Sequence, residues 1–399
     1  MDEVTIEELN FEEAKLHVGG VVFVAILMFV GFVGNLHVLI VYTFFMKPSN
    51  HRIFILVLGT LDFITCIIGM PFIIVDLRNP LTFTLSSACK ILRFINYFIC
   101  SASALTLIII ATDRYRKICV PFGKQITQRV AAILCCVVLF IALLMAWPAP
   151  VLYGIAHVKT EGNLTGTRCW TEDKPNFDKL QGYFNAVLVL IVLVTLTILV
   201  VLYSLIGRVI SKHTSFRSKD SKSKSALSSA PNSQVTSELS SAATDLSDQK
   251  SNSQDKKEQQ KTSDEDSTDS SSPCKTTSEK YEMEDHDKRS KSKVEKSTDS
   301  QKKEGRPKNF QQAKRTTFMF FLITVMFFLS YIPHLSLKIV VFMNKDFFPN
   351  LSFTSKVLYN TFVWCFFVNN VINCFVYGFF DPRFRQSVRE MYGKLAFWK

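Results

Sequence analysis

Seven long apolar runs divide this 399-residue chain, near 20–45, 53–77, 91–112, 130–154, 183–207, 316–343 and 354–380. An α-helix of about 20 apolar residues crosses about 30 Å of hydrocarbon. The pattern predicts an all-α membrane protein, a seven-transmembrane helix bundle. Its expected organisation is an acidic tail over 1–17, the first five helices over 18–209, a hydrophilic insert over 210–313, two further helices over 314–380, and a tail over 381–399.

The chain is 48% hydrophobic with 35 Phe, yet its mean hydropathy is only +0.18. Two materials account for this: a membrane bundle and the insert, which holds 20 Lys/Arg against 18 Asp/Glu. With the amino terminus outside, the inner segments apart from the insert carry 15 basic and 3 acidic residues, and the outer ones, counted with Asp76, Arg93, Lys338 and Lys356 in the outer parts of the runs, 11 and 12. Basic residues collect on the cytoplasmic side of membrane proteins, so the expected topology is an extracellular amino terminus and a cytoplasmic carboxyl terminus. The net charge of +12 thus reports topology and dispersed contact with membrane lipid. It does not form the single basic patch that binds nucleic acid. Residues 1–17 carry Asp2, Glu3, Glu7, Glu8, Glu12 and Glu13 and lack the basic start of a signal peptide, so the first helix is expected to carry them across.

Most of the ten cysteines lie inside apolar runs, as small hydrophobes do. Cys89 and Cys169 instead lie at the outer side, where disulfides persist, and a bridge between them would pin the second outer loop over the bundle mouth. The alternative is two free outer thiols. Asn163 heads a glycosylation sequon in that loop, and Asn350 heads another in the third. The insert, poor in aromatics and rich in Ser, Lys, Asp, Glu and Gln, is expected to be a disordered third intracellular loop. Ser263 before Asp264, Glu265 and Asp266 fits an acidic-directed kinase, although a plain solvated tether explains the composition equally well. After the last run, Phe384, Val388, Met391, Tyr392 and Leu395 face away from Arg383, Arg385 and Arg389, predicting a short amphipathic eighth helix on the inner surface. Phe397 and Trp398 are candidate anchors for it.

The third run ends in Asp113, Arg114 and Tyr115. With seven spans, this resembles the rhodopsin-like (class A) G-protein-coupled receptors. The resemblance covers about 20–392 apart from the insert. It implies that Asp113 neutralises Arg114 at rest and that Arg114 then extends toward a heterotrimeric G protein, meeting Tyr203 and Tyr377. It further implies that Pro121 and Phe122 enter a cleft on the α subunit, while Lys314 and Arg315 hold its carboxyl terminus. Arrestin and receptor kinases follow as partners. An acid is expensive in mid-membrane, and Asp62 sits about ten residues, or ~15 Å, from the inner edge. Asn35, Ser103, Asn369 and Asn373 offer polar groups at matching depth. The resemblance implies a sodium ion here; the alternative is a polar cluster that joins helices. No other cofactor is expected.

The departures from the family matter as much. Asn373, Cys374, Phe375, Val376 and Tyr377 stand where relatives have Asn-Pro-x-x-Tyr. Thr195 replaces a common fifth-run proline, Tyr331 a sixth-run tryptophan, and Phe83 a first-loop tryptophan. Phe327 and Pro333 are retained. Ala313 leaves no acid on the sixth run for Arg114, implying a looser resting lock.

Arg93, Asn96, Tyr97, Cys100 and Ser103 share one helix face, whose upper members are expected to line a ligand cavity. Asn96 occupies the position where amine receptors of the family carry aspartate, which argues against an amine. His334 and Lys338 join Arg93 and Lys90 in an expected cationic rim, with Asp76 and Tyr359 as counterparts; snorkelling toward headgroups is the alternative for Lys90, Lys338 and Arg93. The rim suits a carboxylate-bearing ligand or a peptide making several polar contacts. No nucleophile–base constellation supports an enzyme. The expectation is therefore a plasma-membrane receptor of the neuropeptide type that binds an extracellular peptide. The rivals are a lipid or small-carboxylate receptor and a non-signalling scavenger.

Overall fold

The computed structural model describes residues 5–160, 164–228, 301–344 and 346–396. Asn163, the insert from 229 to 300 with Ser263, and Phe397 and Trp398 lie outside them. Two units are distinguished, 1–220 with 301–399, and 221–300; of the second, 221–228 is described and is helical.

Seven helical segments are long and apolar enough to cross a membrane: Val18–Phe44, Asn50–Arg78, Ser86–Cys119, Gln128–Leu152, Phe177–Lys212, Phe310–Val341 and Phe353–Phe380. These are spans one to seven. Their outward faces are apolar, with Phe29 69% and Phe44 77% exposed, as a lipid solvent requires. The helices holding spans five and six are Phe177–Ser228 and Gln301–Met343, so helical backbone extends into both ends of the 210–313 insert.

The deviations from straight helix are local. Span two passes through a π turn at Thr65–Gly69, where the Met70 N–H reaches the Thr65 carbonyl. Pro71, which has no N–H to continue the ladder, follows at once. Span five runs unbroken past Thr195, which is buried, so no bulge replaces the missing proline. Span seven is α-helical without interruption over Asn369–Phe380, across Cys374; its irregular turn is a 3-10 segment one turn earlier, Cys365–Val368.

The main helix of span four ends before its apolar run does. The main helix stops at Ala146, a single turn Ala149–Leu152 follows Pro148, and Tyr153 already belongs to a strand. Strands β1 (Tyr153–Lys159) and β2 (Thr165–Thr171) form an antiparallel hairpin with Ile155 opposite Cys169. The preceding loop joins this hairpin: Thr167 donates to the Leu81 carbonyl at 2.7 Å and Phe83 donates to the Thr167 carbonyl at 3.0 Å. Gly166 permits that approach, since a Cβ there would lie 3.0 Å from the Leu81 oxygen.

Residues 6–16 of the acidic tail are helical, Ile6–Leu16, with Thr5 and Glu8 forming a reciprocal capping box. Asn10 fastens this helix to the first connecting loop, accepting from the Leu81 N–H at 3.0 Å and donating to the Arg78 carbonyl at 3.3 Å. At the other end of the chain, Pro382–Ala396 is the expected amphipathic helix. It buries Phe384 and Met391 and exposes Arg383 and Arg389; Phe384 stacks on Tyr42 at 5.6 Å.

Candidate functional site

The buried polar residues gather at three depths. At the end of span three that carries Arg114, Asp113 is the hub. It pairs with Arg114, accepts from Lys117 at 2.9 Å and accepts from the Asn50 amide at 2.8 Å. Asn50 also donates to the Ile126 carbonyl at 2.8 Å, fixing the following loop. Arg114 is only 3% exposed, so its charge is neutralised in place. Its guanidinium lies 5.4 Å from the centre of the Phe320 ring on span six.

Among the described residues neither expected tyrosine hydrogen-bonds Arg114. The Tyr203 hydroxyl accepts from Thr324 at 3.3 Å, and Tyr377 is fully buried with its ring edge against Tyr42. Pro121 and Phe122 project from the loop, Phe122 being 86% exposed. Tyr115 is half-buried against the core, Lys314 is half-buried, and Arg315 donates to the Phe380 carbonyl at 3.2 Å.

Behind Arg114 lies a network that sequence reading did not find. Asp381, at the joint between span seven and the last helix, accepts from the Tyr42 hydroxyl and bonds His51 Nε2, both at 2.8 Å. Its other oxygen accepts from the Arg383 N–H at 3.0 Å. Burial works to raise the Asp381 carboxyl, but the bonds from His51 and Tyr42 hold it below the usual carboxylate range. The His51 ring stands edge-on to Phe320 at 5.4 Å.

At mid-depth, Asp62 accepts from Asn373 at 2.8 Å and from Asn370 at 2.9 Å. Asn370 also reaches Thr65 Oγ1 at 3.3 Å, and its carbonyl accepts from Asn35 at 2.8 Å. Sequence reading chose Asn369 from the Asn369–Asn370 pair; the direct partner of Asp62 is its neighbour. Ser103 Oγ, Asn369 Oδ1 and Asn373 Oδ1 are buried without a hydrogen-bond partner. A carboxylate with neutral oxygens of this kind is a donor set suited to a hard monovalent cation, so the residues fit the expected sodium ion.

At the opposite end, Cys89 and Cys169 are disulfide-bonded with Cα atoms 5.5 Å apart, fastening β2 to span three. Arg93 pairs with Asp76 at 3.1 Å and donates to the Cys169 carbonyl at 3.2 Å, beneath the hairpin. Tyr97 bonds the Tyr153 hydroxyl at 2.7 Å and donates to Asn185 at 3.0 Å, while Asn96 is half-buried beside Gly69. Lys90 pairs with Glu172 at 3.6 Å. A stronger bond from Lys174 holds Glu172 below the ordinary carboxylate range.

His334 is taken up by the Val363 carbonyl at 2.5 Å, and Tyr359 packs on Phe348 at 5.0 Å and not on the cations. Lys338 has no ion pair among the described residues; its ammonium sits 5.6 Å from the Trp170 ring, and the Arg168 guanidinium sits 5.4 Å from the same ring. The expected rim is therefore largely self-neutralised, leaving Lys338 and Arg168 around Trp170.

Comparison with known proteins agrees with this layout. Residues 34–377 match the family described as "7 transmembrane receptor (rhodopsin family)". Neuropeptide FF receptor 2 of Rattus norvegicus is 29% identical over 129 residues, 31% of each chain. Neuropeptide FF receptor 1 of Homo sapiens is 29% identical over 165 residues, 39% of this chain and 38% of its own. Trace amine-associated receptor 4 of Mus musculus is 28% identical over 138 residues, 33% of this chain and 37% of its own. The matches span only about a third of these relatives' length.

Proposed function

This chain belongs to the rhodopsin family of seven-transmembrane receptors, and we propose that it binds an extracellular ligand and promotes nucleotide exchange on a heterotrimeric G protein. It is a multi-pass membrane protein. In the proposed orientation the disulfide and hairpin face outward at the plasma membrane and Arg114 faces the cytoplasm, as the basic bias of the Arg114 side supports. The observation that carries the reading is Arg114, buried and paired with Asp113 beneath Phe320 of span six. A buried charge held by one neighbour is a stored switch: displacing span six opens a path for the guanidinium toward a partner. In this reading Tyr203 and Tyr377 receive it on that path.

The ligand we propose is a peptide. Two of the relatives are named for a neuropeptide, the covering hairpin presents backbone and aromatic edges, and Asn96 gives an amine no carboxylate to pair with. Lys338 and Arg168 beside Trp170 favour an acidic group next to an apolar one, since desolvated cations bind anions through strong charge-assisted bonds. That feature also supports the second reading, a lipid or small-carboxylate ligand. Sodium at Asp62, Ser103, Asn369 and Asn373 is likewise proposed; its chemistry would be to neutralise Asp62 in the resting bundle.

The test is a peptide and metabolite library applied to cells expressing the chain, read with several G proteins, alongside Arg114→Ala. Arg114→Ala should abolish exchange and keep ligand binding. A ligand that binds the wild type without exchange in any readout would move the assignment to a scavenger.

A further inference from the structure

We propose that His51 is a positioning residue for Arg114, acting through the Phe320 ring, with Asp381 and Tyr42 fixing the plane of its imidazole. The proposal rests on the reading that Arg114 is the coupling switch. Three facts carry it. First, Phe320 is fully buried and meets two groups: its ring centre lies 5.4 Å from that of His51, the two planes inclined at 72°, and 5.4 Å from the Arg114 guanidinium. Span six is thereby held over Arg114 by one aromatic ring clasped between spans two and three.

Second, His51 cannot turn freely. Its Nε2 is bound to Asp381, and Asp381 is itself held by the Tyr42 hydroxyl of span one and the Arg383 N–H of the last helix. Tyr42 packs on His51 at 5.9 Å, on Tyr377 at 6.0 Å and on Phe384 at 5.6 Å, so the imidazole sits in a frame drawn from four elements. Third, the other imidazole nitrogen, Nδ1, is buried with no hydrogen-bond partner. A buried polar atom left bare disfavours placing a histidine here for packing alone, because an apolar side chain would avoid the desolvation cost.

The consequence is that span six is held here from two sides, by the Arg114 cation and by the His51 ring. When span six moves away, Phe320 leaves both rims of its clasp together, and His51 no longer restricts the space into which Arg114 extends. Weakening the His51 edge contact therefore shifts the resting population toward the open form without any ligand.

The experiment compares His51→Ala, His51→Gln and His51→Phe in full-length receptor in lipid nanodiscs, measuring ligand-free nucleotide exchange against a panel of purified heterotrimers. His51→Gln keeps a donor for Asp381 and loses the ring; His51→Phe keeps the ring and loses the donor. We expect Ala and Gln to raise basal exchange about threefold or more and Phe, which keeps the ring without the bond that fixes its plane, to raise it less, and none to add to Phe320→Leu. If Gln matches wild type while Phe rises, His51 serves only to satisfy Asp381 and the proposal fails. Where the wild type exchanges measurably, unchanged rates in all three variants, or effects that multiply with Phe320→Leu, overturn it as well.

A second readout needs neither ligand nor G protein. Phe318→Trp labelled with 5-fluorotryptophan reports the same end of span six, where Phe318 packs on Phe380 at 5.7 Å. His51→Gln should increase a second fluorine resonance and His51→Phe should increase it less; identical spectra overturn the inference. If the spectra shift as expected but no heterotrimer ever responds, the coupling reading fails and the His51 clasp stands.

Discussion

Asn373 donates its side-chain amide to Asp62 across 2.8 Å, tying span seven to span two one residue before Cys374. Relatives usually place a proline at that next position, and here the helix continues through it. The tie is thus made from a regular helix. Its strength depends on side chains and not on a backbone break.

The bare oxygens around Asp62 lead to an ion test that requires no ligand. Purified wild type should unfold at higher temperature in sodium than in potassium at equal ionic strength. An ion about tenfold above its dissociation constant contributes about 1.4 kcal/mol. Asp62→Asn should abolish the difference. Equal midpoints in the two salts for wild type would leave the cluster as a helix-joining network.

Gly34 lies where span one meets Cys374. A Cβ at that position would come 3.1 Å from the Cys374 Cβ, tighter than ordinary contact. Gly34→Ala should therefore destabilise the receptor by about 1–3 kcal/mol through overpacking. Combining it with Cys374→Ala, which removes the sulfur, should recover part of the loss. Thermal unfolding of both variants measures it.

Restoring proline at Cys374 probes the same helix differently. Proline crowds the carbonyl four residues earlier and removes a helix hydrogen bond. That carbonyl belongs to Asn370 and already accepts from Asn35 at 2.8 Å. Cys374→Pro should consequently alter the Asp62 network and change basal and ligand-driven exchange more than ligand affinity. Side-by-side exchange and binding titrations decide it, and a change confined to affinity would contradict the expectation.

The bridge between Cys89 and Cys169 fastens β2 above Arg93, whose guanidinium bonds the Cys169 carbonyl. Losing a native disulfide typically costs about 2–5 kcal/mol. Cys89→Ser and Cys169→Ser should each sharply lower surface expression, counted by an antibody to an amino-terminal tag. Normal expression of both would show that the hairpin holds without its staple.

The spans were legible because twenty apolar residues have few other uses, and Cys89 and Cys169 stood out as outer-side cysteines. The hairpin was less visible: its strands contain Arg168, His157 and Lys159 and lack an apolar face long enough to signal a sheet. The amino-terminal helix had a local mark, the Thr5–Glu8 capping box, that acidic composition obscured. Nothing local announces the His51–Asp381 bond, which joins residues 330 positions apart. Choosing Asn370 over Asn369 depends on which way a helix rotates, and a missing proline removes the usual reference for that rotation.

The bonds linking Asn10 to Leu81, Leu81 to Thr167 and the hairpin to span three make a continuous roof from the amino-terminal helix to the disulfide. A ligand that reaches Tyr97 by lifting part of that roof must lift it again to leave. A barrier shared by both directions slows association and dissociation alike while the equilibrium constant stays where the bound contacts put it. For a ligand entering this way, severing the roof at Asn10 should therefore shorten residence time and speed arrival by the same factor, so that the amino-terminal helix would set how long a signal lasts without setting the dose that starts it.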